Sequence, residues 1–208
     1  MEIAILFYDG MTALDAVGPY EVLRMMPGAK ARTVARERGP VRTDSGLALL
    51  HAEHTFDEVA AADILVVPGA SEPRPAMADA ALVAWVRRVH ETTRWTTSVC
   101  SGSLILGAAG LLKGLRATTH WIALDALARF GAVPVSERFV REGKIVTAAG
   151  VSAGIDMALV IAAEECGEET ARAIQLAVEY DPQPPFDSGS PAKATPEAVE
   201  MVRARKFF

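Results

Sequence analysis

Thr96-Thr-Ser-Val-Cys-Ser-Gly-Ser103 is a β-rich run that ends at Cys100 and passes at once into Leu104 to Leu112, a small, apolar stretch of helix density. A strand that turns tightly into a helix lifts the residue at the bend above the carboxyl edge of its sheet, the layout of a nucleophile elbow. Gly102 and the flanking serines suit such a bend, which leaves no room for bulky neighbours. Ligands of open α/β sheets gather at that same edge. A thiol at a helix N-terminus is also favoured as thiolate by the dipole, so its expected pKa lies below the free value of about 8.5. The competing reading of Cys100 is a buried small hydrophobe, the common fate of a free cysteine. Its place at a strand end, before Ser-Gly, favours chemistry.

Working outward, the same rhythm continues in both directions. Upstream, Ile64-Leu-Val-Val67 is a buried strand ended by Pro68-Gly-Ala70, and Ala80 to Thr92 puts Leu82, Trp85, Val86 and Val89 at helical spacing. Glu2 to Tyr8 is an apolar strand closed by Asp9-Gly10. Pro19 to Met26 has helical character, Lys30 to Ala35 reads as a second strand, and Ala48 to His51 as a weaker edge element. Downstream, Ala117-Thr-Thr-His120 is a short strand, Ile122 to Phe130 a helix stopped by Gly131, and Phe139 to Val146 a hairpin turning at Glu142-Gly143. Two helices follow, Ser152 to Glu165 and Glu168 to Tyr180. Asp181 to Pro191 holds four prolines and a glycine, so it forms no regular structure and serves as a surface arm or folds back over something. Uniformly apolar strands separated by helices predict one α/β domain over residues 1–208. Its sheet is mostly parallel, with helices on both faces.

Composition narrows the class of function. Half of the 208 residues are apolar and the net charge is −5, which fits one compact domain and argues against a nucleic-acid partner. The one basic cluster, Arg203-Ala-Arg-Lys206, is too short to make a phosphate-binding face. Apolar stretches are broken by charges or glycines before the roughly 20 residues a membrane helix needs. Met1-Glu2 is an acidic start where a signal peptide carries basic residues. With two cysteines far apart, Cys100 and Cys166, the expectation is a cytoplasmic protein.

Candidate partners for Cys100 come from neighbouring strand ends. Asp15, in the loop after the first strand, falls on the same sheet edge; Thr12-x-x-Asp15 equally matches a capping box for the following helix. Backbone N–H groups of Gly69, Ala70 and Ser101 are placed to converge above the sulfur as a pocket for developing negative charge. His120, at a strand end before Trp121, is either a group that orients the thiolate or a satisfied core histidine. Leu14, Val17 and Trp121 are candidate pocket walls. His51 and His54 stand at i and i+3, on opposite faces of a strand, with no third ligand near, so no metal is expected. His90 reads as solvated and Cys166 as structural.

The segments Asp15-Ala-Val-Gly-Pro-Tyr-Glu-Val22, Val67-Pro-Gly-Ala70, Ser98-Val-Cys-Ser-Gly-Ser103 and Ala117-Thr-Thr-His-Trp121 together resemble the ThiJ/PfpI superfamily. The resemblance covers essentially the whole chain. It extends through Glu179 to Pro191, which is particular to the isonitrile hydratase branch. It implies a flavodoxin-like, class I glutamine amidotransferase-like fold and a cofactor-free homodimer that hydrates an isocyanide, R–N≡C, to an N-substituted formamide. By motif, Cys100 matches the nucleophile and Asp15 the essential acidic partner. Ser101 falls where the family often has threonine, which keeps a hydroxyl beside the thiolate. The implied chemistry has the Cys100 thiolate add to the terminal isonitrile carbon while Asp15 delivers a proton to the nitrogen, giving a covalent thioimidate that water then opens. Proton donation near neutrality requires an Asp15 pKa well above about 3.9, which burial supplies.

Three rival readings share these residues. Peptidases of the superfamily place a histidine directly after the cysteine, where this chain has Ser101, which weakens amide cleavage. A glyoxalase-like or redox-protective protein needs little beyond the cysteine and the acid. A ligand-sensing domain of a transcription regulator continues into a long basic helix-turn-helix region, whereas here about forty residues follow Gly167.

Overall fold

The computed structural model describes residues 1–46 and 49–204. In chain order the strands are β1 (Glu2–Leu6), β2 (Lys30–Ala35), β3 (Gly39–Arg42), β4 (Leu49–Ala52), β5 (His54–Thr55) and β6 (Ile64–Val67). They continue as β7 (Trp95–Val99), β8 (Arg116–Ala117), β9 (Val133–Pro134), β10 (Phe139–Glu142) and β11 (Ile145–Ala148). The main sheet has seven strands in the order β10-β11-β7-β6-β1-β2-β5. Every pairing in it is parallel except the β10–β11 hairpin.

Helices α1 (Ala13–Leu23), α5 (Ala153–Cys166) and α6 (Glu168–Ala177) cover one face, and α3 (Ala80–Thr92) and α4 (Gly102–Ala108) the other, with α2 (Arg74–Ala78) beside α3. The side-chain alternation of a strand distributes the core accordingly. Ile3, Ile5 and Val66 join Val22, Met157 and Ile161 on the first face, while Ala4, Leu6 and Leu65 join Val86, Val89 and Ile105 on the second. Because both faces are covered, β6, β7 and β11 are buried throughout, and β6 shows as a continuous apolar run rather than an alternation.

Several boundaries differ from expectation. Helix α1 starts at Ala13, not Pro19, and carries Pro19 in its interior. Proline is normally costly there, but α1 and α5 pack through small residues. A Cβ on Gly18 would lie 3.1 Å from Ile155, and one on Gly154 3.0 Å from Pro19. The predicted edge element is β4, with Ala48 outside the described residues; it pairs with β3 in a separate two-stranded sheet. The strand expected over Ala117–His120 shrinks to β8, which pairs with β9 in a separate two-stranded sheet. The helix expected after it is a run of 3-10 turns, Trp121–Phe130, closed by Gly131 at φ 73°. Helices α4 and α6 stop at Ala108 and Ala177, short of Leu112 and Tyr180.

The proline-rich arm has no regular structure and leads into α7 (Pro196–Ala204), which the sequence reading did not anticipate. The arm folds back: Ser188, Pro191 and Val199 share a small hollow with Trp121, and Arg203 stacks over the Trp121 ring at 5.6 Å. Of the terminal basic cluster, Arg205 and Lys206 lie outside the described residues. Among those residues, no helix is long and apolar enough to cross a membrane.

One glycine is essential to the elbow. A Cβ on Gly102 would fall 2.2 Å from the Val67 carbonyl oxygen and 2.9 Å from Pro68, so the backbones of the β6 and β7 ends touch. Gly102→Ala is expected to destabilise the protein by about 3 kcal/mol through this backbone clash. Urea unfolding of the two proteins measures it; an unchanged midpoint would show that the β6 end yields freely.

Candidate active site

Cys100 follows β7 and adopts φ 56°, in the left-handed region that non-glycine residues rarely occupy. Its N–H donates to Ala149 O (2.9 Å), and its carbonyl accepts from Thr119 Oγ1 (2.8 Å) and Ser103 Oγ (3.3 Å). These bonds clamp the bend between β11, the β8 loop and α4. The backbone N–H groups of Val151 and Ser101 lower the pKa of the sulfur, and the residue is wholly buried. Val151 is itself at φ 33°.

Asp15, in the first turn of α1, is also wholly buried and interacts with the Cys100 thiol. Its Oδ2 accepts the Gly69 N–H at 2.9 Å, and its Oδ1 has no nitrogen or oxygen donor among the described residues. The capping-box alternative therefore fails. Thr12 makes no cap bond; its hydroxyl donates to Asp44 at 2.5 Å, leaving the Asp15 carboxyl turned inward.

Burial raises the Asp15 pKa to about 7, opposed by the Gly69 N–H and assisted by the charge of Asp44. Burial also pushes the Cys100 thiol far above its ordinary value, and the adjacent Asp15 charge adds to this, against the two backbone N–H groups on the sulfur. The expected low-pKa thiolate is thus overturned. Helix α4 is short, and its dipole does not offset desolvation beside a second acid. The resting pair at neutral pH is a thiol beside a carboxyl group close to its midpoint, poised to exchange one proton.

The predicted anion pocket is also rearranged. The Gly69 N–H is engaged by Asp15, and the Ala70 N–H by Ser101 Oγ at 2.8 Å. Ser101 Oγ in turn donates to the Ala70 carbonyl at 2.8 Å. The serine hydroxyl therefore ties the elbow to the β6 loop rather than facing the sulfur, and its rotamer is held by both bonds. The N–H groups that bear on the Cys100 sulfur are those of Ser101 and Val151.

His120 caps the 3-10 segment, its Nδ1 accepting from Ile122 N at 3.3 Å. Burial lowers its pKa to about 4, so the ring is neutral. Its ring lies 2.6 Å from where a Cβ on Gly150 would stand, which places it beside the turn that leads to Val151. Leu14 and Val17 line a surface groove with Met25 and Tyr180, away from the Trp121 hollow, so the three candidate walls do not share one hollow.

His51 and His54 lie on different strands, β4 and β5, of different sheets. His90 is half-buried, not solvated: its Nδ1 pairs with Thr96 Oγ1 at 2.8 Å, and burial, then Lys144, lowers its pKa. Cys166 is half-buried at the end of α5.

Tyr8 and Asp44 were missed by the sequence reading. Tyr8 Oη donates to Pro68 O at 2.9 Å, bracing the loop that holds Asp15. Burial raises its pKa, followed by the charges of Asp15, Cys100 and Asp44. Its signal was adjacency: Tyr8 lies just after β1, which ends at Leu6 rather than at Tyr8 as expected, in the loop that leads to Asp15. Asp44 had no such signal, since its loop is distant in sequence.

Residues 1–164 match the model of the DJ-1/PfpI family. The chain is 43% identical over 205 residues to the isonitrile hydratase of Pseudomonas putida, covering 99% of this chain and 90% of that protein. A crystal structure of a ThiJ/PfpI family protein from Pseudomonas syringae superposes with a TM-score of 0.93 at 42% identity, over 99% of this chain and 88% of that one. The transcriptional regulator CdhR of Pseudomonas aeruginosa is 30% identical over 173 residues, 80% of this chain but 51% of its own. Family match, near-complete coverage and a strained cysteine at the end of β7 agree: the chain belongs to the DJ-1/PfpI family.

Proposed function

We propose that this protein is an isonitrile hydratase, with Cys100 as nucleophile and Asp15 as the group that moves protons. The observation that carries this reading is the buried thiol–carboxyl pair at the elbow, with Asp15 near pKa 7. It is supported by similarity along almost the whole chain to the Pseudomonas putida enzyme of that name.

Atom balance moves the first proton from nitrogen, where the sequence reading put it, to carbon. Asp15 takes the thiol proton as the sulfur adds to the terminal isonitrile carbon. That carbon then carries the displaced electron pair and accepts the proton from Asp15, giving the thioimidate Cys100–S–CH=N–R. Water adds to the same carbon as Asp15 removes one of its protons, and the nitrogen takes that proton. Collapse of the S–CH(OH)–NH–R adduct returns the hydroxyl proton through Asp15 to the departing sulfur and leaves R–NH–CHO. The Val151 and Ser101 N–H groups stabilise the sulfur whenever it is anionic. Ser101 holds the elbow on Ala70, and Gly69 holds Asp15. The same reading carries a homodimer working in the cytoplasm with no cofactor. His120, neutral and buried, stands beside Gly150 in the turn that leads to Val151.

Incubation with cyclohexyl or aryl isocyanide and mass-spectrometric detection of the formamide tests the proposal. Absence of turnover would overturn it in favour of a glyoxalase-like or sensor role. The pH dependence is a second check. Below about pH 7 the carboxyl is protonated and cannot accept the thiol proton, so kcat/KM is expected to rise through about 7 and level off above it. A profile flat from pH 5 to 8 would remove Asp15 from proton transfer.

A further inference from the structure

We propose that Asp44 is a positioning residue for the catalytic pair, joining the loop that carries Asp15 to the loop that holds its carboxylate. The inference rests on the hydratase reading of the Cys100–Asp15 pair.

Asp44 lies between β3 and β4, outside the main sheet, yet it bonds to both loops at the carboxyl edge. Its Oδ2 accepts from Thr12 Oγ1 at 2.5 Å and from Ser71 Oγ at 2.8 Å. Its N–H donates to Met11 O at 3.0 Å. Thr12 is the residue before α1, and its own N–H donates to Gly69 O at 2.9 Å. Met11 bridges to Ala70 in antiparallel fashion. One carboxylate thus joins the start of α1, which aims Asp15, to residues 69–71, whose Gly69 N–H grips Asp15 Oδ2. Two short hydroxyl donors suit a single charged acceptor, because charge-assisted O–H···O⁻ bonds are about twice as strong as neutral ones.

The surrounding charges leave Asp44 as an added negative group near the pair. Arg42 directs its guanidinium to Gly46 O, and its N–H donates to Asp9. Glu72, next to Ser71, is paired with Arg74. Tyr8, just after β1, and Asp15, in α1, are the titratable groups that feel its charge. Asp44 therefore has two separable effects: its hydrogen bonds fix geometry, and its charge disfavours ionised Asp15, which supports a pKa above the ordinary range.

Asp44→Asn and Asp44→Ala separate these effects. Asn keeps an acceptor and removes the charge; Ala removes both. The acid limb of kcat/KM is expected to shift down by about half a pH unit in both variants. In Ala alone kcat is expected to fall about tenfold with KM little changed. Titration of 13C-carboxyl-labelled aspartate, with the Asp15 signal identified by its loss in Asp15→Asn, reads the same shift without substrate. It therefore tests Asp44 even if the parent shows no isocyanide turnover. An unmoved Asp15 titration in both variants, or kcat in Asp44→Ala within twofold of the parent, would overturn the proposal; parent turnover would survive either result.

Discussion

Asp15→Asn is expected to lower kcat/KM by a factor of about a thousand or more while making the folded protein more stable at alkaline pH. The rate loss follows from proton bookkeeping: every step of the proposed cycle hands a proton to or from this carboxyl, and an amide can do neither. Asparagine retains an acceptor for the Gly69 N–H, so the loop geometry survives.

The stability gain follows from linkage. Asp15 titrates near 7 when folded and from a reference of 3.8 otherwise, so the folded state binds the extra proton between those values. The contribution is complete below about pH 4 and is lost as pH rises through about 7, a difference of about 4 kcal/mol at most. Above 7 the native protein carries a buried charge that Asn lacks. Thermal melts of both proteins from pH 4 to 8 should show Asn gaining with pH and the gain vanishing toward pH 4. A difference that stays constant with pH would contradict the raised pKa. On the proposed reading, this stability is given up for a carboxyl that titrates at working pH.

Cys100→Ala is expected to remove formamide production entirely, a loss of at least about ten-thousandfold, since no covalent intermediate can form. Quenching the parent during turnover should give a mass increment equal to one isocyanide, carried on the Cys100 peptide; the alanine variant should show none. The Asp15 carboxyl should also move. The neighbouring thiol lowers the Asp15 pKa, so deleting the sulfur should raise the Asp15 titration above about 7. Residual turnover in Cys100→Ala, with normal KM, would assign the chemistry to water activated by Asp15 alone. Alanine also inherits φ 56° and leaves the buried volume of the sulfur empty, so a modest fall in Tm is expected alongside.

Much of this was legible in the chain. Continuous apolar runs such as Ile64–Val67 follow directly from burial on both faces, and the helix over Ala80–Thr92 was readable from its one-sided spacing. The elbow at Cys100 showed in a β-run meeting Ser-Gly, because a bend that touches β6 tolerates only a glycine at 102. Local pattern also brought Asp15 to the correct edge, since residues after parallel strands share it.

What local pattern left open was settled by contacts between distant segments. Thr12 offered a cap, but Asp44, 32 residues later, takes its hydroxyl and frees Asp15 to turn inward. Gly69 and Ala70 had N–H groups to offer, but Asp15 and Ser101 occupy them. Pro19 read as the start of a helix, but α1 already begins at Ala13 and runs through it, packed closely on α5. The protonation state of the cysteine is the sharpest case. A helix N-terminus read from sequence favours thiolate, yet a pKa depends on solvent exclusion and on the charge next door. Both are properties of three-dimensional packing, and here they keep the proton on sulfur and raise the pKa of the carboxyl beside it to about 7.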